Sequence, residues 1–358
     1  MKRVYKILPI FSLLLLTSCQ PTVSSKVTLG STKVLKEPAG VYFSGYWPDG
    51  KLNLVKKGDI WQLFWGEAVD ILTENESVWP EDHYSSVKES NAVFGKGKSS
   101  IENFNENGSW FIGVFPLDEK GNYVGFFHGE SHWDNDGTAH KSIGVTYSSD
   151  YGKTWKDTEP IILAPEPKGE KGWTGLGDAC VIWDHFNERW LCYYQARTGL
   201  FGINRLCLAA SYDSQGKPGT WKKWDGSSFS GYGCNSSLKG SKDYALANLK
   251  SVPGCNPSVM WNDYLNKWVM VYGSWGKEIY ISFSDDGINW SSPEKILGSS
   301  SNPVWYPNLI SEEGDKIGGK TVRMYYSYQQ SPETGRRKWP ITKLLLKSKS
   351  FTGLKTVF

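Results

Sequence analysis

Residues 178–194 and 256–272 align without a gap at an offset of 78. Val181 matches Val259, Trp183 matches Trp261, Trp190 matches Trp268 and Tyr194 matches Tyr272, and Arg189 and Lys267 share a charge. Each copy reads as an apolar strand, a turn near residue 186 or 264, and a second apolar strand. A repeated hairpin constrains the fold strongly, because one hairpin cannot bury its own apolar face and must stack on its neighbours.

A second repeat accompanies the hairpins. Ser148-Ser149-Asp150-Tyr151-Gly152-Lys153-Thr154-Trp155 fits the Asp-box pattern S-x-D-x-G-x-T-W. Ser284-Asp285-Asp286-Gly287-Ile288-Asn289-Trp290 fits its core, with Asp285 aligned to Asp150, and Ser211-Tyr212-Asp213 reaches Thr220-Trp221 as a degenerate copy. Such a turn uses the aspartate to hold turn amides, glycine to supply positive φ, and tryptophan to pack beneath. Its aspartates are therefore read as structural, and Trp155 and Trp290 are expected to be buried.

Asp150, Asp213 and Asp285 are 63 and 72 residues apart. A unit of about 65 residues divides the chain from about 40 onward into five: 40–100, 101–168, 169–245, 246–300 and 301–358. The text between is short strands and Gly, Pro, Asn and Asp turns, with no long amphipathic helix. The expected fold is all-β, a five-bladed β-propeller of four-stranded antiparallel blades, with six blades as the alternative.

Lys2, Arg3 and Lys6 precede an apolar run from Ile7 to Leu16 that ends in Leu16-Thr17-Ser18-Cys19. The run is too short to span a bilayer and suits a secretory leader. The expected organisation is a lipoprotein signal peptide over 1–18, a flexible tether over 19–38 and one propeller domain over 39–358. Cys19 would carry the lipid and anchor the exported chain to a bacterial membrane, at the outer membrane or cell surface. Without the three leader cations, 37 of the 40 basic residues remain against 37 acidic ones. That balance argues against a nucleic-acid partner. With 39% hydrophobic and 15% aromatic residues, the chain is not disordered. Cys234 and Cys255 flank a Gly/Ser/Lys-rich stretch that a disulfide could clip, whereas Cys180, Cys192 and Cys207 read as buried small hydrophobes. No CxxC and no Cys/His pair at zinc-ligand spacing occurs.

With these repeats the chain resembles the five-bladed propeller glycoside hydrolases of the arabinanase, xylosidase and fructosidase-like group. Its Asp-boxes also resemble those of sialidases, but there is no Arg-Ile-Pro segment and only six arginines follow the leader. The resemblance implies a glycosidic substrate, no cofactor, and a site where first strands of blades begin around a central channel.

Candidate site residues follow from position. Asp178 in the third unit matches Asn256 in the fourth, Tyr306 takes that place in the fifth, and Asp49 in the first. Aligning YVGFFHGESHW on WLCYYQAR sets Glu130 at Arg197. His128, Glu130 and His132 alternate, so all three are expected on one side of a strand. A metal at His-x-Glu-x-His is not favoured, because strand alternation is no zinc motif. Glycosidases use two carboxylates, one protonated and one ionised. The assignment is Glu130 as acid, raised by aromatic surroundings, Asp49 as base, and Asp178 orienting the acid. His128, His132 and Asn256 would bind sugar hydroxyls, and Trp47, Trp133, Trp173, Trp305 and Tyr306 would stack on sugar rings. The alternative function is a non-catalytic propeller that binds glycan or protein with the same groups. The expected state is a monomer.

Overall fold

The computed structural model describes residues 26–34, 49–83, 91–329 except 96, 98, 100, 103, 134–138, 167–171, 199–202 and 299–302, and then 337–338 and 340–347. Trp47 and Cys19, both singled out from the sequence, lie outside the described residues. Strands dominate the described chain, which also holds one four-residue helix, Pro80–His83, and one short 3-10 turn. Its first strand is β1 (Lys26–Val34). Four antiparallel strands follow: β2 (Asn53–Lys57), β3 (Ile60–Glu67), β4 (Val69–Asn75) and β5 (Ala92–Gly95). The second group is β6 (Gly108–Pro116), β7 (Tyr123–Ser131), β8 (Ala139–Ser148) and β9 (Lys156–Ile162). The third is β10 (Trp173–Asp184), β11 (Arg189–Thr198), β12 (Ile203–Ser211), β13 (Lys222–Trp224) and β14 (Phe229–Tyr232). The fourth is β15 (Cys255–Asn262), β16 (Lys267–Gly273), β17 (Glu278–Ser284) and β18 (Glu294–Gly298). The fifth runs from β19 (Val304–Ile310), past the two-residue β20 (Ile317–Gly318), to β21 (Thr321–Gln329). It continues past β22 (Arg337–Lys338) to β23 (Pro340–Lys347).

The fifth group takes its outer strand from the other end of the chain. β1 pairs antiparallel with β23, from Lys26 opposite Lys347 to Val34 opposite Pro340. This corrects the flexible tether expected over 19–38: Lys26–Val34 is a paired strand. Its alternating Val27 and Leu29 were the signal, with Val27 packed against the core shared by the fourth and fifth groups.

The apolar cores lie between consecutive groups, as repeated sheets that bury both faces require. Phe64 and Phe94 of the first meet Phe111, Phe127 and Trp155 of the second. Ile143 and Phe126 meet Val181 and Tyr194 of the third, and Tyr193 and Leu208 meet Trp268 and Tyr272 of the fourth. Met260 and Val271 meet Leu309 and Met324 of the fifth. The fifth core residues Ile310 and Tyr325 then join Leu54, Leu63 and Trp65 of the first. Inner strands are also stitched group to group. Leu309 N donates to Ser258 Oγ at 3.1 Å, Leu52 N to Asn308 Oδ1 at 3.0 Å, and Asn53 Nδ2 to the Phe111 carbonyl at 3.0 Å.

The repeated turns hold as hydrogen-bonded hairpins. Asp150 accepts from the amides of Lys153 and Thr154 and from Thr154 Oγ1, and buried Trp155 donates to the Gly152 carbonyl at 2.9 Å. Gly152 has φ +78°, and a Cβ there would lie 2.5 Å from Phe64 Cζ, so the turn needs glycine twice over. Asp213 and Trp221 repeat this arrangement. In the fourth group the working carboxylate is Asp286, not the expected Asp285. Asp286 accepts from the Ile288 and Asn289 amides, while exposed Asp285 only pairs with Lys267. Trp290 is buried as expected. Cys234 and Cys255 are both free, which removes the proposed clip, and Cys180, Cys192 and Cys207 are buried.

Candidate functional site

The aligned first-strand positions share an unusual backbone. β10 carries a bulge between Gly177 and Cys180, β15 between Cys255 and Ser258, and β19 between Trp305 and Asn308. Within these bulges Asp178, Asn256 and Tyr306 have φ of 45°, 49° and 50°. Asp and Asn tolerate the left-handed region, but a tyrosine there is strained by about 1–3 kcal/mol. A bulge re-aims the side chain that follows the strand into it. Three equivalent strands therefore turn an aspartate, an asparagine and a tyrosine out of their ladders in the same way.

Asp178 reaches His128 and Lys141. Its backbone N–H donates to His128 Nδ1 at 2.7 Å. With Nδ1 accepting, the proton of the neutral ring sits on Nε2, which lies 2.9 Å from Glu130 Oε1 and donates to it. The other carboxylate oxygen, Oε2, accepts from the indole Nε1–H of Trp133 at 2.7 Å. Glu130 therefore accepts on both oxygens from two groups that cannot accept in return. Both oxygens are thus held as hydrogen-bond acceptors in a fixed orientation.

Lys141 was not found from the sequence. β8 runs parallel to the start of β10, with Gly175 opposite Lys141. This crossing between two groups places Lys141 Nζ 2.5 Å from Asp178 Oδ2 and 4.7 Å from the centre of the Trp173 ring. Lys141 is 6% exposed. Burial alone lowers its pKa, but the Asp178 and Glu130 carboxylates outweigh that, and the net shift is upward. Its only sequence signal was a lysine inside a strand that otherwise buries nearly every residue.

The rest of the cluster is packed around the imidazole. Trp110 meets His128 edge to face at 5.2 Å and lies 6.3 Å from Trp133. A Cβ on Gly177 would stand 2.5 Å from His128 Nδ1, so only glycine leaves room for the ring. His128 and Glu130 are both less than 5% exposed. The cluster thus brings two carboxyl groups, one amine and one imidazole together.

Not every expected residue joins it. β7 ends at Ser131, and His132 turns away with φ 60°, its Nδ1 2.9 Å from Ser131 Oγ. The expected alternation of three side chains thus stops after two. Asp49 is half-buried beside Gly50, where a Cβ would lie 3.4 Å from Trp110 Cδ1. Its neighbour Gly50 thus lies against the same indole that backs His128. Asn256 is buried, with no hydrogen-bond partner for Oδ1. Trp305 and Tyr306 are half-buried and 6.4 Å apart, and Trp173 is 46% exposed.

No protein-family model matches the chain, and no curated protein matches it. Solved structures do. A family 117 glycoside hydrolase of Zobellia galactanivorans superposes with a TM-score of 0.52 at 12% identity, over 90% of this chain and 90% of that one. An α-L-arabinofuranosidase of Lactobacillus brevis gives 0.53 at 10% identity, over 82% of this chain and 90% of that one. An N-acetylgalactosamine deacetylase of F. plautii gives 0.51 at 10% identity, over 89% and 95%. At this identity the likeness establishes the all-β fold. Two glycosidases and a deacetylase among such similar folds leave the chemistry to the site.

Proposed function

We propose that the chain is a glycoside hydrolase built as a five-bladed propeller, acting on an oligo- or polysaccharide through a carboxylate pair. The five strand groups and the core joining the last to the first support the closed ring. The observation that carries the function is Glu130: a nearly buried carboxyl group, accepting on both oxygens and oriented through His128 by Asp178. Glycosidic cleavage passes through an oxocarbenium-like state, which an adjacent oriented carboxylate stabilises. In this reading Glu130 is the base or nucleophile. Asp49, next in the chain to the Gly50 that meets Trp110, is the proton donor, and Asp178 and Lys141 position the imidazole. Trp133 orients Glu130 and presents an exposed ring to sugar.

The test uses aryl glycosides with good and poor leaving groups, from a panel of arabinosides, galactosides and xylosides. Glu130→Gln is expected to lose turnover by orders of magnitude on both kinds. Asp49→Asn is expected to lose it mainly on poor leaving groups, which need a proton. The reverse pattern would restore Glu130 as the acid. Wild-type protein that cleaves none of the panel, nor plant, algal and host glycans, would favour a binding propeller.

The leader motif adds the location. Export and a lipid on Cys19 would leave seven residues before Lys26, a reach of about 25 Å, so the domain would stand close to the bilayer. Cys19→Ser is expected to move the protein from membranes to the soluble fraction. Unchanged membrane association would refute the anchor.

A further inference from the structure

A cavity of about 270 Å³ opens beside the cluster, lined by Lys141, Trp173, Gly175, Gly177, Gln195 and Trp275 among others. Two of its walls belong to the cluster as well. Lys141 pairs with Asp178, and Gly177 is the residue against which His128 packs. The cavity is smaller than the roughly 300–1,000 Å³ pockets that enclose drug-sized ligands, so it suits one ring and not a chain.

Three features of the lining point to its occupant. Trp173 and Trp275 are 46% and 45% exposed and both line the cavity, two broad apolar faces beside Gly172, Gly175 and Gly177. Trp275 stands at φ 43°, a conformation that favours glycine, so the fold holds a strained backbone to present an indole at this place. Gln195 is 7% exposed, and its side-chain Oε1 has no hydrogen-bond partner. A buried amide left unpaired is costly, and a ligand hydroxyl beside it would satisfy it. The one charged side chain among the described lining residues, Lys141, has its charge answered by Asp178 and Glu130. The described lining thus offers flat apolar faces and amide hydrogen bonding without a spare cation.

Resting on the glycosidase reading, we propose that this cavity is the subsite for a single neutral sugar ring next to the scissile bond. The apolar face of the ring lies on Trp173 and Trp275, and a hydroxyl meets Gln195. An acidic or sulfated sugar would find no free positive charge among the described lining residues.

The probes are arabinose, galactose, xylose, glucose and N-acetylgalactosamine, with galacturonate as the acidic comparator. Binding is followed by tryptophan fluorescence and calorimetry on the full mature chain, in the wild type and in the inactive Glu130→Gln protein. At least one neutral sugar is expected to bind both proteins, and to bind more tightly than galacturonate. Gln195→Ala and Trp275→Ala are each expected to weaken it at least tenfold. Trp275→Gly should weaken binding equally while leaving Tm unchanged or raised, because it removes the left-handed strain. A merely structural tryptophan would lower Tm instead. No neutral binding up to 50 mM, tighter binding of galacturonate, or binding unmoved by these variants would each overturn the subsite. Sugar binding without hydrolysis of any glycan would retain the subsite and overturn the hydrolase. Hydrolysis with kcat and KM unmoved in Gln195→Ala and Trp275→Ala would do the opposite.

Discussion

The backbone N–H of Asp178 donates to Nδ1 of His128, and this single bond fixes which ring nitrogen carries the proton. A main-chain donor cannot reverse its polarity, so Nδ1 stays an acceptor and Nε2–H stays aimed at Glu130. Nitrogen-15 NMR of the histidine side chains is expected to show His128 as the neutral Nε2–H form. His128→Gln should lower kcat on the order of 100-fold with little change in KM, because it disorients Glu130 without touching sugar. An Nδ1–H tautomer would break the proposed chain from Asp178 to Glu130.

Lys141 and Asp178 form a buried pair, and removing one partner strands the other. Lys141→Met is expected to destabilise the protein by about 3–5 kcal/mol in denaturant unfolding. The double change with Asp178→Leu should cost much less than the sum, since no lone charge remains. The pH dependence follows from the raised pKa of Lys141. A group whose folded pKa lies above its unfolded value stabilises fully below the unfolded value, about 10.4. That contribution is lost as pH rises through the folded value. Wild-type stability from this pair should thus be level through neutral pH and fall only in strong alkali, while Lys141→Met lacks that fall.

The fold was legible because it is repetitive. The 78-residue offset made Asp178 and Asn256 equivalent, and both occupy the same left-handed bulge, joined by Tyr306. The site was legible only where it lies on the repeat or along one strand, as with His128 and Glu130. Lys141 enters from the third strand of a neighbouring group, a contact made by tertiary crossing that no local period encodes. His132 failed for the opposite reason. Alternation projects past the end of a strand, but the chain turned at a positive φ one residue later. The tether was misread because β1 has little apolar text of its own and depends on β23 for its ladder.

Two adjacent aspartates in the fourth group should differ sharply. Asp286 Oδ1 accepts from the Ile288 amide at 2.8 Å and the Asn289 amide at 2.7 Å, and Oδ2 accepts from Asn289 Nδ2 at 2.7 Å. Asp285 is 81% exposed in its side chain. Asp286→Ala is expected to lose about 1–3 kcal/mol of stability and Asp285→Ala less than about 0.5. Burial alone would raise the Asp286 pKa, but the Asn289 and Ile288 donors outweigh it, and the net shift is downward. Its stabilisation is therefore present above the ordinary carboxylate pKa and lost as pH falls through the lower folded value. Equal losses in the two variants, measured by urea unfolding at pH 7, would return the turn to Asp285.

β1 closes the fifth group, and its removal should be felt by the whole molecule. Seven residue pairs join it to β23, and Val27 rests on the core between the fourth and fifth groups. Without it, β23 becomes an edge whose Leu344, Leu345 and Leu346 follow one another beside unpaired backbone groups, which invites strand addition from other copies. A chain starting at Lys26 is expected to unfold cooperatively, as the longer mature chain does. A chain starting at Leu35, just past the strand, is expected to aggregate, or to unfold at markedly lower urea with a broadened transition. The physical reason is that a stack of sheets fails at its least covered edge, and the first and last groups already share the core of Leu54, Trp65, Ile310 and Tyr325. Loosening the fifth group therefore loosens the first, and with it the Gly50–Trp110 contact that backs His128. Loss of activity in step with loss of cooperativity is the expected signature. Full stability and activity in the chain starting at Leu35 would show that β23 holds its place without β1.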